Sequence, residues 1–148
     1  MYKRQPNIIS SDNIRYSQFP SDSGFCHEDA YTHNGFSATF TTAHRVIKGY
    51  LQGGVDTVWN ATNIKAKNRK EMLKAVGADD GSYDVEYVVV DRPLDEKIES
   101  FLLVSPDGAA THTNEDIIRK HHQSFQSSKK HALNGDGFDF IVVKDLTK

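Results

Sequence analysis

An α/β fold with a mainly parallel sheet is predicted by two observations. Four apolar runs of strand length, Asn7–Ser10, Val55–Asn60, Tyr83–Asp91 and Phe138–Lys144, recur along the chain. Between them lie stretches whose apolar residues repeat at helical spacing, and alternation of the two on this scale is the pattern of βαβ units.

Each element has a local reason. The last two strand runs are nearly continuous in Val, Ile, Tyr and Phe, which predicts strands buried on both faces. Phe36–Gln52 places Phe36, Phe40, Ala43, Ile47 and Tyr50–Leu51 on one side and stops at Gly53-Gly54. Lys65–Val76 carries Met72, Leu73 and Val76 and ends at Gly77. Leu94–Val104 begins after Pro93 and presents Leu94, Ile98, Phe101 and Leu102. Thr113–His131 opens with Thr113-Asn114-Glu115-Asp116, which reads as a capping box, and shows Ile117, Ile118 and Phe125. The polar stretches Phe19–Gly35 and Ser105–His112 are expected to be loops.

With 148 residues, the chain is expected to form a single domain over 1–148 with one core. Its composition, 37% hydrophobic and 26% charged, is that of a globular protein. The net charge of −2 supplies no general attraction to nucleic acid, so such binding would need a local patch. A lone cysteine, Cys26, rules out an internal disulfide and fits a reducing compartment. No apolar run reaches the length of a membrane span, so a soluble cytoplasmic protein with no membrane partner is expected. Cys26-His27 lacks a second ligand pair, and the histidines, His121, His122 and His131 among them, are expected to be solvated rather than metal ligands.

Three of the four strand ends are polar: Ser10–Asp12, Asn60–Asn63 and Asp91–Arg92. Open parallel sheets bind ligands beyond the carboxyl ends of their strands, so the candidate site belongs there. Asp12 and Arg15, at a strand-to-helix junction, would share a helical face. A carboxylate beside a guanidinium suits general-base chemistry and recognition of phosphate. The plainer reading is that Asp12 caps a short helix and Arg15 is its solvated partner. Likewise Thr62 or Asn63 could cap the helix running through Arg69.

Asp12 with Arg15, closing the segment Ile8–Arg15, and Asn60-Ala61-Thr62-Asn63 with Arg69, whose segment opens at Val55, belong to segments about forty residues apart with a helix between them. In this order they resemble two signatures of the small P-loop kinases, in particular the phage polynucleotide 5′-kinase group. The resemblance runs from about Asn7 to Asp145 and implies a P-loop kinase-like fold acting on polynucleotide 5′-ends or another small hydroxyl acceptor. It implies Asp12 as the catalytic base and Arg15, Thr62, Asn63 and Arg69 as substrate-binding residues, with ATP and Mg²⁺ as cofactors. The sequence departs from the pattern at three places. Asn60 stands where the family has an Asp. The stretch Phe101–His112, where the resemblance places an arginine-bearing lid, has no Arg or Lys. No G-x-x-x-x-G-K-[ST] occurs anywhere in the chain.

The resemblance thus implies a kinase-like domain whose first strand and P-loop are missing, inactive alone, with acceptor-side motifs kept. It would be split or truncated relative to its nucleotide-binding segment and completed by another chain. The alternative is a non-catalytic protein of kinase descent that binds a partner or nucleic acid. In that family the missing strand lies between the equivalents of Val55–Asn60 and Tyr83–Asp91. Without it, those two strands are expected to pair directly and give four parallel strands.

Overall fold

A computed structural model of the chain describes residues 6–22, 26–104 and 114–147. It is mixed α/β: β1 (Asn7–Ser10), α1 (Ser11–Gln18), a 3₁₀ turn (Glu28–Tyr31), α2 (His33–Gln52), β2 (Thr57–Asn60), α3 (Ala66–Val76), β3 (Val85–Val89), α4 (Leu94–Val104), α5 (Glu115–Leu133), a second 3₁₀ turn (Gly135–Gly137) and β4 (Ile141–Asp145). Contacts divide it into two compact units: residues 1–62 with 72–77, and residues 63–71 with 78–148. The helix α3 is continuous across this division.

The first unit is built on a parallel β1–β2 pair in the register Asn7↔Thr57 to Ser10↔Asn60. The crossover is α2, which starts three residues earlier than its apolar stripe predicts because the Thr32 hydroxyl accepts from the Gly35 amide, 3.1 Å. Its buried line is Gly35, Thr39, Ala43 and Ile47, while Phe36, Phe40 and Tyr50 are partly exposed. Gly35 has a steric reason: a Cβ there would collide with the carbonyl oxygens of Asp29 and Ala30 in the 3₁₀ turn. Thus much of the stretch expected to be a loop, Phe19–Gly35, is ordered against α2. Phe40 meets Trp59 edge-on at 6.1 Å, and Met72, Leu73 and Val76 are buried as their spacing predicts.

In the second unit β3 pairs in parallel with β4, from Val85↔Ile141 to Val89↔Asp145. The helix α5 packs against both strands and against α4. Asn114 caps α5, its Oδ1 accepting from the Ile117 amide at 3.0 Å; Ile117 therefore stands at N3, where it has no side-chain acceptor, and the expected capping box does not form. The lid-equivalent residues 105–112 lie outside the described residues.

Two expectations are corrected. The described ladders are β1–β2 and β3–β4, each a two-stranded parallel sheet, in place of one ladder of four strands. An apolar run marks a strand but not its neighbour, which tertiary contacts choose. Nor are β3 and β4 buried on both faces. Val88 and Val142 are 54% and 63% exposed, so among the described residues the face of this sheet that carries them is left open while α5 packs against the strands.

Candidate functional site

The sharp turn from β1 into α1 presents the first two candidates. Ser10, not Asp12, is the N-cap, its hydroxyl accepting from the Asn13 amide at 3.4 Å. Asp12 therefore sits in the first helical turn, where a negative charge meets the exposed amides favourably. Its side chain is 88% exposed, and Oδ1 accepts from Arg15 Nη1 at 2.8 Å.

Arg15 is not the solvated partner that simple capping would imply. Its side chain is only 11% exposed, with the guanidinium carbon 5.6 Å from the Tyr31 ring centre and 5.5 Å from that of Phe36. The rings stand edge to face, so α1, the 3₁₀ turn and α2 together make an aromatic seat for the cation. Its buried Nε has no hydrogen-bond partner among the described residues. Burial and the Cys26 thiol push the Tyr31 hydroxyl above its ordinary value, opposed by the Arg15 charge.

The register Ser10↔Asn60 puts the ends of β1 and β2 side by side, so Asp12 and Thr62 both follow the same carboxyl end of this sheet. Thr62 is exposed in the loop after β2. The helix α3 begins at Ala66, past both Thr62 and Asn63.

Asn63 and Arg69 belong to the second unit, where they form an internal lock. Asn63 has φ +48°, the left-handed region that asparagine tolerates better than most residues. The carbonyls of Asn63 and Ile64 both accept from Arg69 Nη1 at 2.8 Å. The rest of the guanidinium grips Asp136 bidentately, Nε to Oδ2 and Nη2 to Oδ1, both at 2.8 Å. Tyr87 also donates to Asp136 Oδ2 at 2.8 Å, and its ring lies 5.9 Å from the guanidinium carbon. Burial acts to raise the Asp136 carboxyl, but the bonds from Arg69 and Tyr87 outweigh it and hold it below the ordinary range. Burial and the same carboxylate push Tyr87 far up.

A second cluster in this unit was only half visible in the sequence. Asp91, just beyond β3, is buried; Oδ1 accepts from Lys97 at 2.9 Å, and Oδ2 accepts from Gln126 at 2.8 Å and Lys129 at 3.2 Å. Lys97 also lies 2.9 Å from His122 Nδ1, so His122 is half-buried in a network and not simply solvated. His27 likewise serves the backbone, its Nδ1 accepting from the Asp29 amide at 3.2 Å. Burial would raise Asp91, but its three donors hold it far below the usual carboxylate range. His122, Gln126 and Lys129 are spaced at helical intervals on α5, the one signal that could have joined them to Asp91. Asp136, between Gly135 and Gly137, had only its turn-like setting to mark it.

No described helix is long and apolar enough to cross a membrane, and no group of three or more His, Cys, Asp or Glu among the described residues could hold a metal ion. No protein-family model and no curated protein matches this chain.

Proposed function

We propose that this chain is the acceptor-side part of a kinase-like phosphotransferase, acting on the 5′-hydroxyl of a polynucleotide or another small hydroxyl acceptor. The observation that carries this reading is Asp12: an exposed carboxylate at the carboxyl end of a parallel strand pair, with one oxygen fixed by a buried arginine. Arg15 orients Oδ1 and leaves Oδ2 to accept the proton of an incoming hydroxyl, the part a general base plays in phosphoryl transfer. Thr62, beyond the neighbouring strand end, adds a hydroxyl that can bond the acceptor. Arg69 and Asn63, which the resemblance gives as substrate-binding, are assigned no part in acceptor binding, since the guanidinium is engaged with Asp136 and two carbonyls inside the second unit.

The chain's residues do not fit Mg²⁺-ATP. The backbone cradle and lysine of a G-x-x-x-x-G-K-[ST] loop are absent from the sequence, so no step is assigned to the nucleotide. On this reading the isolated chain transfers nothing by itself. A second reading, a non-catalytic protein binding a partner or nucleic acid, is favoured by the way both arginines are occupied within the fold.

Fluorescence anisotropy with a 5′-hydroxyl oligonucleotide at low salt tests the proposal. The resemblance gives Arg15 a contact with the acceptor as well, and on that reading Arg15→Ala should weaken binding by about 1–3 kcal/mol, the range for a charge-assisted contact, with folding checked by circular dichroism. Asp12→Asn should leave binding nearly intact, because a base acts on the chemical step rather than on docking. Wild-type protein that binds no oligonucleotide overturns the polynucleotide acceptor. Binding that ignores Arg15→Ala supports the non-catalytic reading.

A further inference from the structure

We infer that the face of the β3–β4 sheet left open among the described residues is a docking surface for a second copy of this chain. This goes beyond the functional reading above and does not depend on it. Alternation along the strands puts Glu86, Val88 and Val90 of β3 and its extension on the same face as Val142, Lys144 and Leu146 of β4 and its extension. The four aliphatic side chains are 54%, 55%, 63% and 49% exposed at Val88, Val90, Val142 and Leu146. Parallel sheets normally have both faces covered, and a contiguous apolar patch in water marks an interaction surface.

The charges on this face indicate what covers it. The register pairs Glu86 with Val142 and Val88 with Lys144. Val88 and Val142 therefore lie on one diagonal of a four-residue rectangle, and Glu86 and Lys144 on the other. Neither Glu86 nor Lys144 has an ion-pair partner among the described residues. A two-fold axis laid along the valine diagonal stacks valine on valine and brings each copy's Glu86 towards the other's Lys144 twice over. With neighbouring strands about 4.8 Å apart and alternate residues about 6.6 Å apart, the paired charges fall within reach of two long side chains. The strands of the two copies then cross steeply, towards the orthogonal class of sheet packing. This is the self-complementarity that an isologous contact requires. About six side chains per copy is far fewer than the roughly 20–30 residues of a standard interface, so the dimer is expected to be weak, forming at micromolar concentrations or above.

Sedimentation velocity of the full chain from about 5 to about 500 µM should show reversible monomer–dimer exchange in this weak class. Glu86→Lys and Lys144→Glu each set like charges opposite one another and should weaken association about tenfold or more. The double variant Glu86→Lys with Lys144→Glu restores the opposite pairing and should return to within about threefold of the wild type. Val88→Asp, at an exposed position that leaves the fold in place, should abolish the dimer. A chain that stays monomeric throughout the range overturns the inference. So does a double variant as weak as the singles, or a dimer indifferent to Val88→Asp.

Discussion

The two units each hold an arginine against an aspartate, in opposite ways. In the first, Arg15 reaches back one helical turn to Asp12, whose carboxylate stays 88% exposed. In the second, Arg69 spans 67 residues of sequence to Asp136, whose side chain is fully buried. The local pair leaves an acid facing solvent with an oxygen free to act. The long-range pair has the Asp136 carboxylate, the Tyr87 hydroxyl and two loop carbonyls satisfied together. Ion pairs of the same composition thus do different work: exposure makes one available to a ligand, while burial makes the other a staple of the fold.

The largest expected effect separates the two pairs directly. Asp136→Asn keeps the shape and the tolerance of a left-handed backbone but leaves Arg69 buried without its counter-charge. It should cost about 3–5 kcal/mol, as breaking a buried pair does. In a thermal melt that corresponds to a midpoint lowered by roughly 6–20 °C for a chain of this size. A loss under about 1 kcal/mol would mean that the pair is as weak as an exposed one.

A second effect concerns pH, and the second unit should dominate it. Asp91 and Asp136 both have lowered values in the folded chain, so the unfolded chain binds their protons more readily. Their contribution is complete above the ordinary Asp value of about 3.9 and is lost as pH falls through the depressed folded values. Tyr87 works in the other direction. Its raised value gives a contribution complete below about pH 10 and lost as pH rises beyond it. Melting temperature should therefore be level near neutrality and fall on the acid side, and Asp91→Asn should make the acid slope shallower. An unchanged acid slope in that variant would remove the Asp91 cluster from the account.

The smallest effect belongs to the exposed pair. Asp12→Asn should change stability by no more than about 1 kcal/mol in a denaturant melt, since the Asp12 carboxylate is exposed and its attraction to Arg15 is screened by water. A cost near that of Asp136→Asn would erase the contrast between the units.

Much of the local structure was legible in the sequence. The α3 stripe of Met72, Leu73 and Val76 is buried as its spacing implies, and Gly53 ends α2 where the helical pattern breaks. Asp12 and Arg15 meet because residues three apart on a helix must be neighbours. The start of α2 was harder, since its first turn rests on Thr32 and on a glycine packed against a preceding turn rather than on apolar spacing. The aromatic seat of Arg15 was hidden for a similar reason: Tyr31 and Phe36 lie sixteen and twenty-one residues away, outside any local pattern.

Periodicity, capping chemistry and residue spacing, all short-range, determined that this chain is α/β, that its sheet strands run parallel, and that Asp12 and Arg15 share a helical face. Only the tertiary structure decided which strands pair, and it made two two-stranded sheets where four parallel strands were expected. It also turned Arg69 inward to Asp136 and drew Lys97 and Lys129 onto Asp91. Those outcomes depend on groups distant in sequence, whose meeting is set by which charges can be buried with their partners, and no local pattern carries that information.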